Sequence, residues 1–248
     1  MICKANNKDR APNCAKCVIK GKSIFNSLSD EEATKISTFI ENKGTYLSGE
    51  YLTSEHENSH YSLCVNSGYL ILGTHLKNGS RQIFKVIFPG ESVGFANGSD
   101  NQGYFVQAIT DADVCIISAL SVKKLLKEHN DVALRLIEVL SDNSNSYQQY
   151  LLGLGRKSAR EALAYLIMDL STRIQQQNTT CAKSTDNQCF FPLNQEDMAD
   201  VLGLTKVHIS RVISQFKKEG LIECGHKKLK VLNKEKLSKL GAYPPAPD

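Results

Sequence analysis

Eight cysteines stand in this 248-residue chain, and two of them form Cys14-Ala-Lys-Cys17. A C-x2-C pair sets two thiols on one turn, where they can hold a metal or exchange electrons as a dithiol. The others are Cys3, Cys64, Cys115, Cys181, Cys189 and Cys224. The first twenty residues lack a signal-peptide core, and no run approaches the roughly 18 apolar residues of a membrane span. A cytoplasmic protein with no membrane partner is expected. Its thiols are then reduced, and a disulfide framework is not needed in a chain long enough to bury a core.

A second chemistry lies at the other end. Formal net charge is only +4, but residues 205–239 carry ten Lys/Arg against three Asp/Glu, while residues 1–189 are nearly balanced. A local excess of this size points to an anionic partner, nucleic acid first.

The elements that must position these groups change character along the chain. From Tyr61 to Ser118 short runs of Val, Ile, Phe and Tyr alternate with polar residues, as in an antiparallel meander, with Asn78-Gly79 expected as a type I′ hairpin turn. A short helix is expected over Ser29–Asn42, entered by a Ser cap and an acidic first turn. Over residues 132–158, Ala133, Ile137, Leu140, Ser144, Tyr147, Leu151 and Leu154 alternate spacings of four and three. That is a coiled-coil seam, and it predicts a parallel homodimer; the alternative is one amphipathic helix packed on its own barrel.

Residues 194–220, NQEDMADVLGLTKVHISRVISQFKKEG, read as two helices joined by a tight turn. Asn194 with Asp197 caps the first, Gly203 ends it, and Thr205 caps the second, whose apolar stripe is Ile209, Val212, Ile213 and Phe216. Small Ala199 and apolar Leu204 suit the helix crossing of a helix-turn-helix. On the opposite face Thr205, Lys206, Val207, His208, Ser210 and Arg211 stand where a recognition helix meets base edges, with Lys217 and Lys218 toward the phosphates. LIECGHKKLKVLN reads as a two-stranded wing turning at Gly225 and carrying Lys227, Lys228 and Lys230. The alternative is a solvated basic face on a structural hairpin.

Order and length of these parts resemble the Crp/Fnr superfamily of bacterial transcription regulators over nearly the whole chain, with PGESVGFAN…FVQAITDADVCIIS closest to the Fnr branch. The resemblance implies an α+β fold: an N-terminal segment (1–25), an antiparallel β-roll of the cyclic-nucleotide-binding type (26–128), a dimerisation helix (129–158) and a C-terminal winged helix-turn-helix (159–248). It implies double-stranded operator DNA and RNA polymerase as partners, and no enzyme activity. The nucleotide-binding relatives have Gly-Glu followed by Arg-Ser; Gly94-Phe95 with no Arg-Ser downstream implies no cyclic nucleotide.

The Fnr branch holds an oxygen-labile iron–sulfur cluster on N-terminal cysteines and one from the β domain. Cys14, Cys17 and Cys115 match; the family's third cysteine position is Ser23. A serine hydroxyl is far less acidic than a thiol and a poor iron ligand, which leaves Cys3 to complete a 4Fe-4S set of Cys3, Cys14, Cys17 and Cys115. A clusterless thiol switch and a vestigial site of inert cysteines are the other readings; Cys64, Cys181, Cys189 and Cys224 read as buried or incidental. The family's Glu-x-x-Ser-Arg is Val207-His208-Ile209-Ser210-Arg211 here. Arg211 keeps the bidentate reading of guanine, whereas Val207 can only pack on a thymine methyl, so the operator differs at that position.

Three other matches fail on context. His56-Glu57-Asn58-Ser59-His60 fits the zinc-protease pattern but reads as a turn, and Gly90-Glu91-Ser92-Val93-Gly94 fits a nucleophile elbow with no helix after it. Asn178-Thr179-Thr180 fits a glycosylation site that a cytoplasmic chain never exposes to the enzyme. The rival functions are a regulator of this type with another effector or none, and, far behind, a metal-dependent enzyme carrying a basic hairpin.

Overall fold

The alternating segment forms strands because its odd and even residues face different surroundings. In a computed structural model, which describes residues 13–53, 61–94, 103–177, 189–225 and 227–244, the chain divides into two compact units, Met1–Asn145 and Ser146–Asp248.

The first unit opens with α1 (Asp30–Ile36), where Ser29 and Glu32 form a full capping box. The helix is shorter than expected. It tightens into a 3-10 turn at Ser37–Phe39 and yields to a strand at Asn42, because residues 42–46 pair with the last strand of the roll. Among the described residues eight antiparallel strands follow: β1 (Asn42–Tyr46), β2 (Tyr51–Thr53), β3 (Tyr61–Ser67), β4 (Leu70–His75), β5 (Arg81–Ile87), β6 (Ser92–Val93), β7 (Phe105–Ala108) and β8 (Ala112–Ser118). They make two sheets, ordered β1-β8-β3-β6 and β2-β7-β4-β5. Leu63, Val65, Val114 and Ile116 from one and Leu70, Ile87 and Val106 from the other share one apolar core.

Period two then forces the intervening residues of β3 and β8 onto the opposite face. There Cys64, Cys115 and Ile117 meet Cys14, Ile24, Phe25 and Ile40 in a second apolar cluster. Residues 14–25 therefore lie over the outer face of the first sheet.

The Asn78-Gly79 hairpin forms, but not as type I′. Gly79 has φ 83°, Asn78 has no positive φ, Gly79 N–H donates to the Leu76 carbonyl, and Leu76 N–H donates to that of Ser80. This is a three-residue loop, a type I turn closed by a left-handed glycine. Asn78 Oδ1 instead accepts from Ser80 N–H at 3.0 Å, a contact its side chain makes from a right-handed backbone. After β8 come α2 (Ala119–Glu128) and α3 (Asn130–Gly155), whose Val132 and Leu136 are buried.

In the second unit α4 (Ala159–Gln177) is the central column, buried from Ala162 to Ile174 along most of its length. Around it stand α5 (Gln195–Leu202), α6 (Lys206–Lys218), a three-stranded sheet of β9 (Cys189–Phe190), β10 (Ile222–Gly225) and β11 (Lys228–Val231), and α7 (Lys234–Gly241). The wing turns one step beyond Gly225. Gly225 pairs with Lys228 and so is still in the ladder, while Lys227 is in the turn and takes the left-handed conformation (φ 51°). No helix among the described residues is long and apolar enough to cross a membrane.

Candidate functional site

The helix-turn-helix is built as its sequence dictates. Asn194 Oδ1 accepts from Glu196 and Asp197 N–H while Asp197 returns a bond to Asn194 N–H, and Gly203 ends α5 at φ 62°. Thr205 Oγ1 accepts from His208 N–H and starts α6. Ile209, Val212, Ile213 and Phe216 are buried, with Phe216 wholly so. This fixes the rotation of α6 and turns the other face outward: Thr205, Lys206, Val207, His208, Arg211 and Lys217 are exposed and Ser210 is half-buried. Val207 is 59% exposed, an apolar side chain with no packing reason to be there. Lys206 leans on Glu196 at 3.3 Å; Arg211 has no hydrogen-bond or ion-pair partner among the described residues. An unpaired guanidinium on the first two turns of such a helix is suited to bidentate contact with a guanine edge.

Linear reading missed what holds α6 in place. Arg160 of α4 donates to both carboxylate oxygens of Glu219, at 2.9 and 2.8 Å, and to Gln215 Oε1, and its guanidinium lies 5.1 Å over the Phe216 ring. These bonds hold the Glu219 carboxyl below its usual range. Nothing in the sequence signals a contact made 59 residues away.

α3 runs across the boundary between the two units, and its seam is exposed within each. The first unit takes Val132 and Leu136, and Lys85 of β5 reaches Asn143 at 2.8 Å. Ile137, Leu140, Ser144, Tyr147, Leu151 and Leu154 are exposed, Ile137 and Leu151 by 63% and 65%.

Four of the thiols gather in one place. Cys14, Cys17, Cys64 and Cys115 line a single cavity of about 30 Å³ with Ile19, Lys20, Ser23, Phe25, Ile40, Asn66 and Gly90. The Cys14 carbonyl accepts from Cys17 N–H at 3.2 Å, closing the turn that brings the first two together. Cys14 N–H donates to Ser37 Oγ (2.9 Å) and the Cys17 thiol to Asn66 Oδ1 (3.4 Å), which moors that turn over β3. Cys64 of β3 stands directly opposite Cys115 of β8, and its sulfur shares a 3.0 Å hydrogen bond with Ser92 Oγ. Burial pushes Cys64 up to about 12 and Cys115 up to about 11, and the charges of neighbouring thiols add to both. Burial also raises Cys14.

Cys3 lies outside the described residues, as do Cys181, residues 54–60 with the His-Glu-x-x-His match, Phe95 and residues 178–180. Ser92 of the elbow match sits in strand β6. Cys224 is half-buried in the wing.

Four cysteines around one cavity match a 4Fe-4S cluster in number and donor type. No three His, Cys, Asp or Glu side chains among the described residues are grouped around a single ion. Thiolates on one zinc stand roughly 3.8 Å apart, given bonds of about 2.3 Å, whereas cluster thiolates each bind their own iron and spread wider. The cavity itself holds only about two waters. A cluster would need more room than that, and the 13–23 segment, held by Ser37 and Asn66, is the wall that would have to yield.

An antiparallel roll, a long helix and a winged helix-turn-helix with an exposed basic face define a DNA-binding transcription regulator. Two family models match, the cyclic nucleotide-binding domain over residues 43–129 and the Crp-like helix-turn-helix domain over residues 161–240. The chain is 28% identical over 210 residues to the transcriptional activator protein FnrL of Cereibacter sphaeroides, covering 84% of this chain and 83% of that one. It is 26% identical over 234 residues to the fumarate and nitrate reduction regulatory protein of Escherichia coli K12, covering 94% and 92%. The structure of FixK2 from Bradyrhizobium japonicum superposes with TM-score 0.72 at 25% identity, over 82% of this chain and 98% of that one. The chain belongs to the Crp/Fnr family of regulators.

Proposed function

We propose that this protein is a cytoplasmic homodimeric regulator that reads a roughly palindromic DNA operator through one α6 per half-site and responds to oxygen or redox state through its cysteines. The exposed row Thr205 to Arg211, turned outward by a buried stripe, is the observation that carries the reading. Arg211 and Ser210 would read base edges, Val207 a thymine methyl, and Lys217 with the wing lysines the phosphates. The four parts, 1–25, 26–128, 129–158 and 159–248, divide the work into sensing segment, roll, dimer helix and reader.

A second copy suits the α3 seam because its spacing is that of a coiled coil and Ile137, Leu140 and Leu151 are left half or more exposed. Linking two half-site contacts multiplies affinity, so anything that shifts the dimer shifts operator occupancy. Cys14, Cys17 and Cys115, with a fourth thiolate, would hold an iron–sulfur cluster, which supplies sensitivity to oxygen when bound. The chain's own part is to keep these thiols dry and adjacent, and to couple the 13–23 segment to the sheet beneath it. No cyclic nucleotide is part of this reading, and RNA polymerase is the partner through which DNA-bound protein acts.

The test compares anaerobic with air-exposed protein on a duplex selected from random sequence, at fixed salt. Tighter binding by the anaerobic form is the expected result. Equal affinity in both forms removes the oxygen response and leaves a DNA-binding regulator with another effector.

A further inference from the structure

We propose that Cys64 is the fourth thiolate of the sensing site, so that Cys14, Cys17, Cys64 and Cys115 together hold the cluster and Cys3 is not needed. This rests on the cluster reading above. Its warrant is the register of one sheet. β3 and β8 are neighbours, Cys64 is the direct partner of Cys115, and residues directly opposite in an antiparallel pair project to the same face. Their neighbours Leu63 and Ile116 go to the roll's interior, so both sulfurs go to the side where residues 14–25 lie.

That segment is fixed above them by contacts of its own. The Cys14–Cys17 turn closes on itself, Ser37 holds one end, and Asn66, two residues beyond Cys64 on β3, receives the Cys17 thiol. All four sulfur-bearing residues line the same cavity.

Ser23 lines that cavity too, but its hydroxyl is engaged in a turn. It donates to the Lys20 carbonyl at 2.8 Å and accepts from Phe25 N–H at 3.1 Å. The side chain that stands at the family's third cysteine position thus shapes the backbone, and the missing thiolate is supplied from the strand below. Ser92, hydrogen-bonded to Cys64, is placed to orient that sulfur and to tune it, as outer groups do around metal-bound sulfur. On binding iron, each thiol gives its proton to solvent and its sulfur forms one Fe–S bond.

The experiment uses full-length protein purified anaerobically, with iron, acid-labile sulfide and visible absorption measured per chain. Wild type is compared with Cys3→Ala, Cys64→Ala, and a variant carrying Cys3→Ala, Cys181→Ala, Cys189→Ala and Cys224→Ala, which retains only the four cavity cysteines. Cys3→Ala and the four-cysteine variant are expected to match wild type. Cys64→Ala is expected to fall below a tenth of the wild-type iron content while keeping the wild-type circular dichroism.

Loss of iron from the four-cysteine variant overturns the assignment, and that arm does not depend on whether Cys64→Ala folds. If Cys64→Ala keeps its iron and Cys3→Ala loses it, the cluster reading stands and this assignment falls. Wild-type protein without iron and sulfide brings down both.

Discussion

The two compact units treat their chemically active residues in opposite ways. The reader turns Thr205, Lys206, Val207, His208 and Arg211 into solvent on one helix. The first unit draws Cys14, Cys17, Cys64 and Cys115 from three separate stretches of chain into one small cavity. A surface meant to meet a large polyanion needs only one face correctly rotated, which a local apolar stripe achieves. Bringing thiols from separate stretches into one cavity needs walls on several sides, and only long-range packing provides them.

The sharpest way to separate the two units is to break the core beneath one of them. Phe216→Ala removes a wholly buried ring under the recognition helix, at a cost of about 3–5 kcal/mol. Urea melts should show the second unit destabilised and DNA binding lost, while alkylation of Cys64 in the first unit stays as slow as in wild type. Accelerated Cys64 labelling would show that the units do not fold independently.

The contrast in burial is itself measurable. With its thiol pushed up to about 12, Cys64 in metal-free protein carries roughly a thousandfold less thiolate at pH 8 than an ordinary thiol of pKa about 9. Peptide mass spectrometry after iodoacetamide treatment should find Cys224 of the wing alkylated long before Cys64. Comparable rates would mean that Cys64 is open to solvent.

Within the reader, Arg211→Ala should weaken binding to the selected operator by about 1–3 kcal/mol and relax preference at one base position. Lys217→Ala should weaken all duplexes alike and reduce the salt slope by about 1. Anisotropy titrations at several salt concentrations distinguish them. If the two variants behave identically, the face binds phosphates only.

The smallest effect expected is that of Thr205→Ala, which removes the side-chain acceptor for His208 N–H and should cost about 1 kcal/mol of stability in the second unit, seen as a modest drop in urea midpoint. Iron content should not change. A shift in it would tie the two units together more closely than their separate cores suggest.

How much could be read without coordinates follows the same division. Caps at Asn194, Gly203 and Thr205, the stripe beneath α6 and the seam on α3 are all written within a few residues of where they act, and each stands where its spacing put it. The turns were less legible. Asn78-Gly79 turns where the sequence places it but as a three-residue loop, and the wing turns past Gly225, because the type and place of a turn depend on the strand register on either side. The Arg160–Glu219 clamp and the place of Cys64 had no linear signal.

Local chemistry by itself determined that this chain has a strand-rich half, a long helix with an exposed apolar seam and a basic helix-turn-helix, because caps, periodicity and charge act over one or two turns of chain. Tertiary structure decided which thiols share a cavity. Cys64 and Cys115 are 51 residues apart and meet only because β3 pairs with β8 in one register. A slip of one residue would turn one of them into the roll's interior. The partners in the cavity are set by the pairing of strands, and no spacing of cysteines along the sequence contains that.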